Sequence, residues 1–588
     1  MGAHTGTPRM APPTHAYELT RSQKAVTLTG VLLALLLAAL DQTIVATAGP
    51  AMQVDLHMDA AHYPWLTTSY LVASTVMLPI YGKLSDIFGR KPILIAGIVL
   101  FVTGSVLCGL SRTSLHVILA RVVQGLGSAS LFTSAFTVVA DLFPPAVRGK
   151  YQGLSGAVFA LASVVGPLLG GFLTDQLSWH WVFFINLPVG VVALTFILLK
   201  MPSLLPTAGE TRPRLDLAGA LALVLAVVPL LLALSLGRGR GTPASEGGYP
   251  WGSAPILGLF ALSAVGFVLF VLAEHRASDP LLDLELFRNR VFGVGNATVF
   301  ILGAGFLSAV VFLPLFMVNV VGLSATRSGL TLTPVTLGVV AGNVLAGQLV
   351  SRIGRYKALM LGAQVVLTVG YALMGFTLTP ESTQAEVTAK MVLLGLGMGP
   401  SLPLYTLAIQ NAVPPGQVGV ATSTVTFFRQ MGSTIGVAVL GTVFAATLSS
   451  SVTEGMARAT ANLPPEVRER LQVSGTGGSG GEGVESGQAF PAKQLEADLR
   501  NRFAARERDV EARLEGPART EAMSQLQAEE TRVMDAVAEV EQAQKEGFTR
   551  AISAIYRLAI LVSVLGFMLT LFIPERPLRR TNAPLPPE

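Results

Sequence analysis

The sequence predicts an all-α integral membrane protein with fourteen membrane-spanning helices. Of its 588 residues, 51% are hydrophobic and only 13% are charged, and the mean hydropathy is +0.58. Soluble domains carry about a quarter charged residues, so this composition excludes an ordinary cytosolic enzyme. Apolar runs of roughly 20 residues, long enough for a helix to cross hydrocarbon, recur along the chain. Short gaps with turn residues separate them, which favours a helical bundle because lipid offers unpaired backbone groups no solvent.

The individual spans follow from these apolar runs. We place them at 25–48, 63–82, 92–110, 115–140, 152–175, 181–200, 215–235, 253–273, 291–318, 328–350, 358–378, 388–410, 420–448 and 551–573. Basic residues concentrate in alternate loops and in both tails, whereas the opposite loops hold little beyond Arg112, Arg238, Arg240 and Arg327. By the positive-inside rule, we expect a multi-pass protein of the cell (inner) membrane with both termini in the cytoplasm.

The net charge and the cysteine content limit which molecules this protein can bind and which reactions it can catalyse. The formal net charge is +5, but the basic residues lie between apolar runs, where anionic lipid headgroups are the expected partner and nucleic acid is not. The single cysteine, Cys108, excludes an internal disulfide. No phosphate-loop motif and no metal-ligand spacing occur in the sequence. We therefore expect no enzymatic activity and no cofactor.

A repeat divides the chain. The segment Gly82–Lys91 has a weaker copy at Gly347–Lys357, an offset of 265 residues that also relates the first span to the ninth. Parallel repeats of this kind place a substrate site between two halves. The predicted divisions are an N-terminal tail (1–24), a six-helix half (25–200), two inserted helices with linkers (201–290), five helices of the second half (291–448), an outer spacer and helical hairpin (449–550), the last helix (551–573) and a C-terminal tail (574–588).

Several motifs identify a family resemblance. They read LDQTIVATAGP (40–50), GKLSDIFGRK (82–91), RVVQGLGSA (121–129), ASVVGPLLGG (162–171) and WHWVFFINLPVG (179–190). With them, nearly the whole chain except 450–550 resembles the major facilitator superfamily, and within it the fourteen-helix drug:proton antiporters. The resemblance implies the major facilitator fold, a monomer that binds a small-molecule substrate and protons, and multidrug efflux. Ala162 departs from the family pattern, as do Ala46 and Gly49.

Asp41 and Arg121 are the candidate proton-coupling residues. Asp41 lies about 12 Å inside the outer end of its helix, at 1.5 Å per residue, and an intramembrane carboxylate is a functional candidate by default. Arg121 lies at nearly the same depth, so we expect an ion pair. The resemblance implies a proton-transfer role for this arginine. The alternatives are an acid that only lines a wet vestibule and an arginine that only braces the helices.

Two glycine-containing motifs are candidates for conformational control. In the loop after the second span, the gating candidates are Gly82, Lys83, Asp86, Gly89, Arg90 and Lys91. Asp86 is expected to pair with basic groups or with a helix N-terminus. In the fifth span, the family's antiporter motif contributes Gly166, Pro167, Gly170 and Gly171, where proline distorts the helix and the glycines allow close packing. Topogenic charge and a simple packing kink are the alternatives.

Other candidates concern the substrate. Asp41, Gln124, Phe312 and Arg429 are candidate substrate-binding residues, with Arg429 facing either the cavity or the cytoplasmic boundary. We expect a proton-coupled exporter of lipophilic, including cationic, compounds that works by alternating access.

The outer segment 449–550 leaves other functions open. A glycine-rich spacer (474–487) precedes two amphipathic helices at about 491–514 and 519–547, with a turn at Glu515–Pro517 and continuation into the last span as one option. This hairpin is a candidate docking surface for an extracytoplasmic partner. An exporter of a lipid, a siderophore or another secreted metabolite that uses the hairpin for handover is one alternative. A membrane sensor or assembly protein that transports nothing is the other.

Overall fold

The computed structural model describes residues 19–58, 62–202, 214–238, 248–322, 333–459, 492–513 and 515–580. Before the inserted pair, the helices are α1 (Arg21–Asp55), α2 (Trp65–Phe88), α3 (Arg90–Gly109), α4 (Ser114–Leu142), α5 (Pro145–Gln176), α6 (Trp181–Phe184) and α7 (Asn186–Lys200). The inserted pair is α8 (Leu217–Leu236) and α9 (Ala254–Arg276), with short parallel strands β1 (Gly237–Arg238) and β2 (Tyr249–Pro250) between them.

The second half has the same helical character. Its helices are α10 (Arg290–Asn319), α11 (Thr333–Ile353), α12 (Lys357–Thr377), α13 (Gln384–Met398), α14 (Ser401–Asn411), α15 (Val418–Ala459), α16 (Ala492–Arg513) and α17 (Pro517–Leu571). Single 3-10 turns cover Leu284–Arg288 and Pro415–Gln417. Within the described ranges, 14 helices are long and apolar enough to cross a membrane when α6–α7 and α13–α14 each count as one span. The predicted number of spans is confirmed.

The segment predicted as a loop after the second span is mostly helical, and that prediction is wrong. Helix α2 does not end near residue 82 but continues to Phe88. No helix-breaking residue follows Gly82 until Gly89, whose φ of 91° is readily adopted only by glycine. Asp86 is therefore carried on a rigid helix end, and Arg90 starts the next helix one residue after the break.

Packing divides the bundle into two groups of helices. In the first group, α1 packs on α5, and α4 packs on α2 and α3. In the second, α10 packs on α15, α11 on α13, and α12 on α17. The inserted helices α8 and α9 pack on each other, where Gly266 lies against the backbone of Ala226, and α8 also contacts α2. Small residues allow such close approach of helices.

The two groups meet at the end of the bundle that is predicted to be cytoplasmic. Helix α5 packs on α11 and α2 packs on α15. Gly149 lies against Gly347 and Val350, and a side chain at Gly82 would collide with Ser423. All of these glycines lie near the predicted cytoplasmic ends of their helices, so this end is closed in the structure.

Two helices extend well beyond a bilayer thickness. Helix α15 has 42 residues and α17 has 55, which correspond to about 63 and 82 Å at 1.5 Å per residue. After a turn at Gly516, whose φ is 65°, helix α17 returns along α16. The hairpin core consists of Phe503, Leu526, Val533, Ala536 and Val537.

The hairpin helices lie where the sequence predicted them, and α17 runs without interruption into the last span. The predicted spacer 474–487 lies outside the described residues. The location of the hairpin on the outer side remains a prediction.

Candidate functional site

The carboxylate of Asp41 is enclosed by polar side chains in the first half. It is fully buried, and its Oδ2 accepts a hydrogen bond of 2.6 Å from Nη1 of Arg121. Its Oδ1 accepts from Nε2 of Gln124 at 2.7 Å and from Nδ2 of Asn186 at 2.9 Å. The expected pairing of Asp41 with Arg121 is therefore present in the structure. Three donors from α4 and α7 satisfy a carboxylate that belongs to α1.

Arg121 connects this group to α2. Its Nε donates to the carbonyl oxygen of Leu66 at 3.0 Å, and Nη1 also donates to Oε1 of Gln124 at 2.7 Å. The guanidinium carbon lies 4.2 Å from the ring centre of Tyr70, a cation–π distance. Only 2% of Arg121 is exposed, so its charge depends on these neighbours. A change in the charge of Asp41 would reach α2 through Arg121, and α4 through both Arg121 and Gln124.

Asn186 has no role in the sequence-based prediction, although it lies in the motif at 179–190. Its Nδ2 also donates to Oγ of Ser105 at 3.0 Å, and Ser105 donates to the carbonyl oxygen of Phe183 at 2.8 Å. Ile185, which separates α6 from α7, keeps helical dihedrals (φ −61°, ψ −25°), so the two short helices form one span that carries Asn186 to Asp41. A polar residue within an apolar motif was the available signal.

The glycine motif of α5 lies against α1 next to Asp41. Thr43 donates to the carbonyl oxygen of Ala162 at 2.9 Å, and a side chain at Gly166 would collide with Thr43. Gly170 approaches Ile44, whereas Gly171 has no neighbouring atom where its side chain would be. Pro167 lies within the helix between these contacts. Two of the three predicted glycines therefore pack against α1.

A second charged group joins the two halves at the predicted cytoplasmic end. Arg90 donates from Nε to Asp141 at 2.8 Å and from Nη1 to Oδ1 of Asp86 at 2.5 Å. Oδ2 of Asp86 accepts from the backbone N–H of Val420 at 3.0 Å, at the start of α15. A carboxylate at a helix N-terminus is stabilised by the helix dipole. Both expected partners of Asp86, a basic group and a helix N-terminus, are present.

The remaining residues of the 82–91 segment differ in their contacts. Lys91 donates to the carbonyl oxygens of Leu198 at 3.0 Å and Met201 at 2.6 Å, at the end of α7. Gly82 allows the approach of Ser423. Among the described residues, Lys83 makes no direct hydrogen bond or ion pair.

A polar cluster beside these charges was not predicted. Nη1 of Arg148 donates to Oε1 of Gln410 at 3.2 Å, and Nε2 of Gln152 donates to the same oxygen at 3.0 Å. Nε2 of Gln410 donates in turn to Thr422 at 2.8 Å. All four side chains are buried. This cluster connects α5 of the first half with α14 and α15 of the second.

The C-terminal strap, defined here as residues 574–580, crosses the same end. The N–H of Ala146 donates to the carbonyl oxygen of Arg579 at 3.0 Å. Asn411 donates to the carbonyl oxygen of Pro577 at 3.1 Å, and Nη2 of Arg579 donates to that of Val413 at 3.1 Å. Burial lowers the pKa of the Arg579 guanidinium below its usual value. The strap therefore contacts α5 in one half and the end of α14 in the other.

Phe312 and Arg429 lie in the second half, apart from the Asp41 group. The Phe312 ring packs 5.0 Å from that of Phe444, so in this conformation it holds α10 against α15. Arg429 lies within α15 and is half-buried. In the described part of the chain it has no hydrogen bond or ion pair. The same part contains no cluster of three His, Cys, Asp or Glu side chains suited to a metal ion.

Comparison with known proteins gives a consistent result. The sequence model described as Major Facilitator Superfamily matches residues 31–437. The chain is 38% identical to the Multidrug transporter protein MdtP of Bacillus subtilis over 449 residues, which are 76% of this chain and 80% of that protein. It is also 38% identical to the Multidrug resistance protein 3 of Bacillus subtilis over 414 residues, which are 70% and 78% of the two chains.

More distant similarities extend to fungi and to solved structures. An MFS-type efflux pump of Trichophyton rubrum is 33% identical over 457 residues, 77% of this chain and 83% of that protein. The human organic anion transporter MFSD10 has a TM-score of 0.52 at 17% identity, covering 72% of this chain and 94% of its own. The proton:xylose symporter XylE has a TM-score of 0.51 at 14% identity, covering 71% and 88%. These two structures support the fold alone.

Proposed function

The chain belongs to the major facilitator superfamily, and from that premise we propose that it is a proton-coupled exporter of lipophilic compounds. The comparisons establish that the chain is a multi-pass membrane transporter and that it has multidrug efflux relatives. Antiport with protons and the location in the cell membrane belong to the proposal. The observation that carries it is the buried ion pair of Asp41 and Arg121, 2.6 Å apart.

The first step of the proposed mechanism is proton binding at Asp41. A proton on this carboxylate would remove the charge that Arg121 faces and would leave the guanidinium without its anion. Removing one partner of a buried ion pair typically costs about 3–5 kcal/mol. The uncompensated guanidinium would then disturb the contacts of Arg121 with Leu66 and Tyr70. The packing among α1, α2 and α4 would change as a result.

The second step transmits this change to the predicted cytoplasmic end. Helix α2 carries both Leu66, which contacts Arg121, and Asp86, which accepts from Val420 on α15. A rigid displacement of α2 therefore acts on the contact between the halves. Release of that contact would open the closed end, and loss of the proton to the cytoplasm would restore the ion pair. This is alternating access by rigid-body movement of two halves.

The decisive experiment measures substrate-driven proton movement in proteoliposomes. The purified full chain is reconstituted with a pH-sensitive dye inside. The lipophilic acid 1-pyrenebutyrate and the lipophilic cation ethidium are added in parallel, each with and without a pH gradient. We expect coupled proton movement in the wild type and none with Asp41→Asn. Asp175→Asn, the same change at an exposed carboxylate on α5, is the matched control. Undiminished coupling in Asp41→Asn would refute the proposal.

The alternative of handover through the outer hairpin has less support. Among the described residues of α16 and of α17 before residue 551, no large apolar side chain is exposed. A surface that guides a lipid would need such a patch. Here the apolar residues pack inside the hairpin, and exposed ion pairs such as Arg519–Glu511 cover it.

A further inference from the structure

Arg429 is a basic residue within a membrane-spanning helix, and the proposed proton cycle does not use it. It lies eleven residues after the first residue of α15, or about 16 Å along the helix at 1.5 Å per residue. That is about half the thickness of a hydrocarbon core of roughly 30 Å. The side chain remains half-buried at this depth, and in the described part of the chain it forms no hydrogen bond or ion pair.

No acidic residue of the second half is placed to neutralise it. Between residues 291 and 453 the sequence contains only two acids, Glu381 and Glu386, both at the opposite end of the bundle from the start of α15. Glu386 already pairs with Lys390. The spanning part of α17, residues 551–571, contains no acid, and its Arg557 donates to the carbonyl oxygen of Gly375.

The acids of the first half that face α15 or the interior are also occupied. Asp86 on α2 accepts from Arg90 and from the backbone of Val420, and Asp141 on α4 accepts from Arg90. Asp41 is satisfied by its three donors. The ion pair of Asp41 and Arg121 is neutral, and Arg557 has a carbonyl acceptor, so among the described residues Arg429 is a positive charge of the interior without an acid or a hydrogen-bond acceptor.

A guanidinium at this depth does not face lipid. A charged side chain at the bilayer centre costs several kcal/mol and almost always faces the bundle interior or a water-filled cavity. Helix α15 packs on α10, where Gly303 lies against the Arg429 backbone, and on α2, where Ser423 lies against Gly82. Arg429 therefore lies on a helix that contacts both halves, and its side chain stays partly accessible there.

We infer that Arg429 binds an anionic group of the transported compound. The inference rests on the proposed export function and specifies its substrate class: a lipophilic acid or zwitterion rather than a simple lipophilic cation. A planar guanidinium binds a carboxylate through two parallel hydrogen bonds, with a strength about twice that of neutral hydrogen bonds. Phe428, the residue before Arg429, is half-buried and packs edge-on against Phe287 and Phe300, so the sequence next to the arginine is apolar.

The test measures equilibrium binding, which does not depend on proton coupling. The full chain is placed in phosphatidylcholine nanodiscs and titrated with 1-pyrenebutyrate, its uncharged methyl ester and 1-pyrenemethylammonium, with energy transfer from tryptophan as the signal. For the wild type we expect the order carboxylate, ester, ammonium in decreasing affinity. Arg429→Gln should weaken carboxylate binding about tenfold or more and leave ester binding within about twofold, because only a charged hydrogen bond is lost.

Two further variants and one competitor complete the design. Arg429→Lys should retain part of the carboxylate preference, and Arg352→Gln, at an exposed arginine, should retain all of it. Equal losses for carboxylate and ester in Arg429→Gln, or no carboxylate preference in the wild type, would overturn the inference. Displacement of the probe by phosphatidylglycerol would assign the site to a lipid and would also overturn it. Failure of proton coupling with preserved carboxylate preference would reject the proposed function alone.

Discussion

Asp41 on α1 and Arg121 on α4 form a buried ion pair with 2.6 Å between Oδ2 and Nη1. Each of the two also has further partners, but only the arginine reaches α2, through the carbonyl oxygen of Leu66. The pair therefore links a single protonation site to three helices. Its geometry gives the first prediction.

Arg121→Lys should impair transport although it keeps the positive charge. A lysine ammonium lacks the planar fork that contacts Asp41, Gln124 and Leu66 together. We expect the rate of proton-coupled efflux to fall about tenfold or more, as losses of about 1.4 kcal/mol or more would give. Transport assays in proteoliposomes measure it, with the exposed Arg112→Lys as control. Wild-type rates in Arg121→Lys would show that the fork is dispensable.

Gly166→Ala should be damaging and Gly171→Ala should not. A methyl group at Gly166 would collide with Thr43 on α1, whereas one at Gly171 meets no atom within 4 Å. In an exposed helix position alanine is favoured over glycine by about 1 kcal/mol. Thermal unfolding and efflux of each variant separate the two positions. Equal behaviour of the pair would mean that α1 and α5 do not pack as described.

Asp86→Asn should weaken the closed end of the transporter. The change removes the negative charge between Arg90 and the N-terminus of α15. We expect greater accessibility of an engineered cysteine at Ser423 to a membrane-impermeant thiol reagent in inside-out vesicles, together with slower efflux. Lys83→Gln in the same segment should change the accessibility less, since Lys83 has no direct partner among the described residues. The reverse order of the two variants would contradict this assignment.

A disulfide between Ala146→Cys and Arg579→Cys should stop transport reversibly. The backbone hydrogen bond of 3.0 Å between these residues brings them within the range that disulfides require. Because the strap contacts both halves, a covalent link should hold the closed end shut. Substitution of the single native Cys108 by serine gives a clean background. Either single cysteine is the control, and continued transport by the oxidised double variant would contradict the strap's role.

Val533→Asp should unfold the outer hairpin without stopping efflux of small lipophilic probes. Only 1% of Val533 is exposed, and burying an unpaired carboxylate costs several kcal/mol. Limited proteolysis should cleave α16 and the outer part of α17 faster, whereas the exposed Ala538→Asp should leave cleavage unchanged. Loss of efflux in Val533→Asp alone would mean that the hairpin takes part in transport.

The sequence predicts the number of spans and the pairing of Asp41 with Arg121 because both follow from local features. Hydropathy reports each helix separately. The depth predicted for Asp41 was wrong when counted from the helix end, because α1 continues past residue 48 to Asp55, although the pairing with Arg121 is present. The helical continuation of α2 to Phe88 was missed because the hydropathy signal ends earlier, where the helix leaves the apolar region.

Contacts between distant residues were harder to predict. Asn186 contacts Asp41 from a helix that follows 145 residues later in the chain, and the Arg148–Gln410 contact depends on how the two halves meet. The depth of Arg429 was visible in the sequence, but only the structure shows that none of the described residues forms a hydrogen bond or ion pair with its side chain. The positions of charged residues in the sequence therefore identified the candidates. The packing of the helices was needed to show which of these charges have a partner.

The strap also has a consequence for how the protein is made. Ala146 is synthesised with α5, whereas Arg579, whose carbonyl oxygen accepts its hydrogen bond, is synthesised after α17. The closed end, which is predicted to be cytoplasmic, is thus completed only after α17 has been made. A chain that terminates before the strap would insert most of its helices and still lack the contact between the strap and α5.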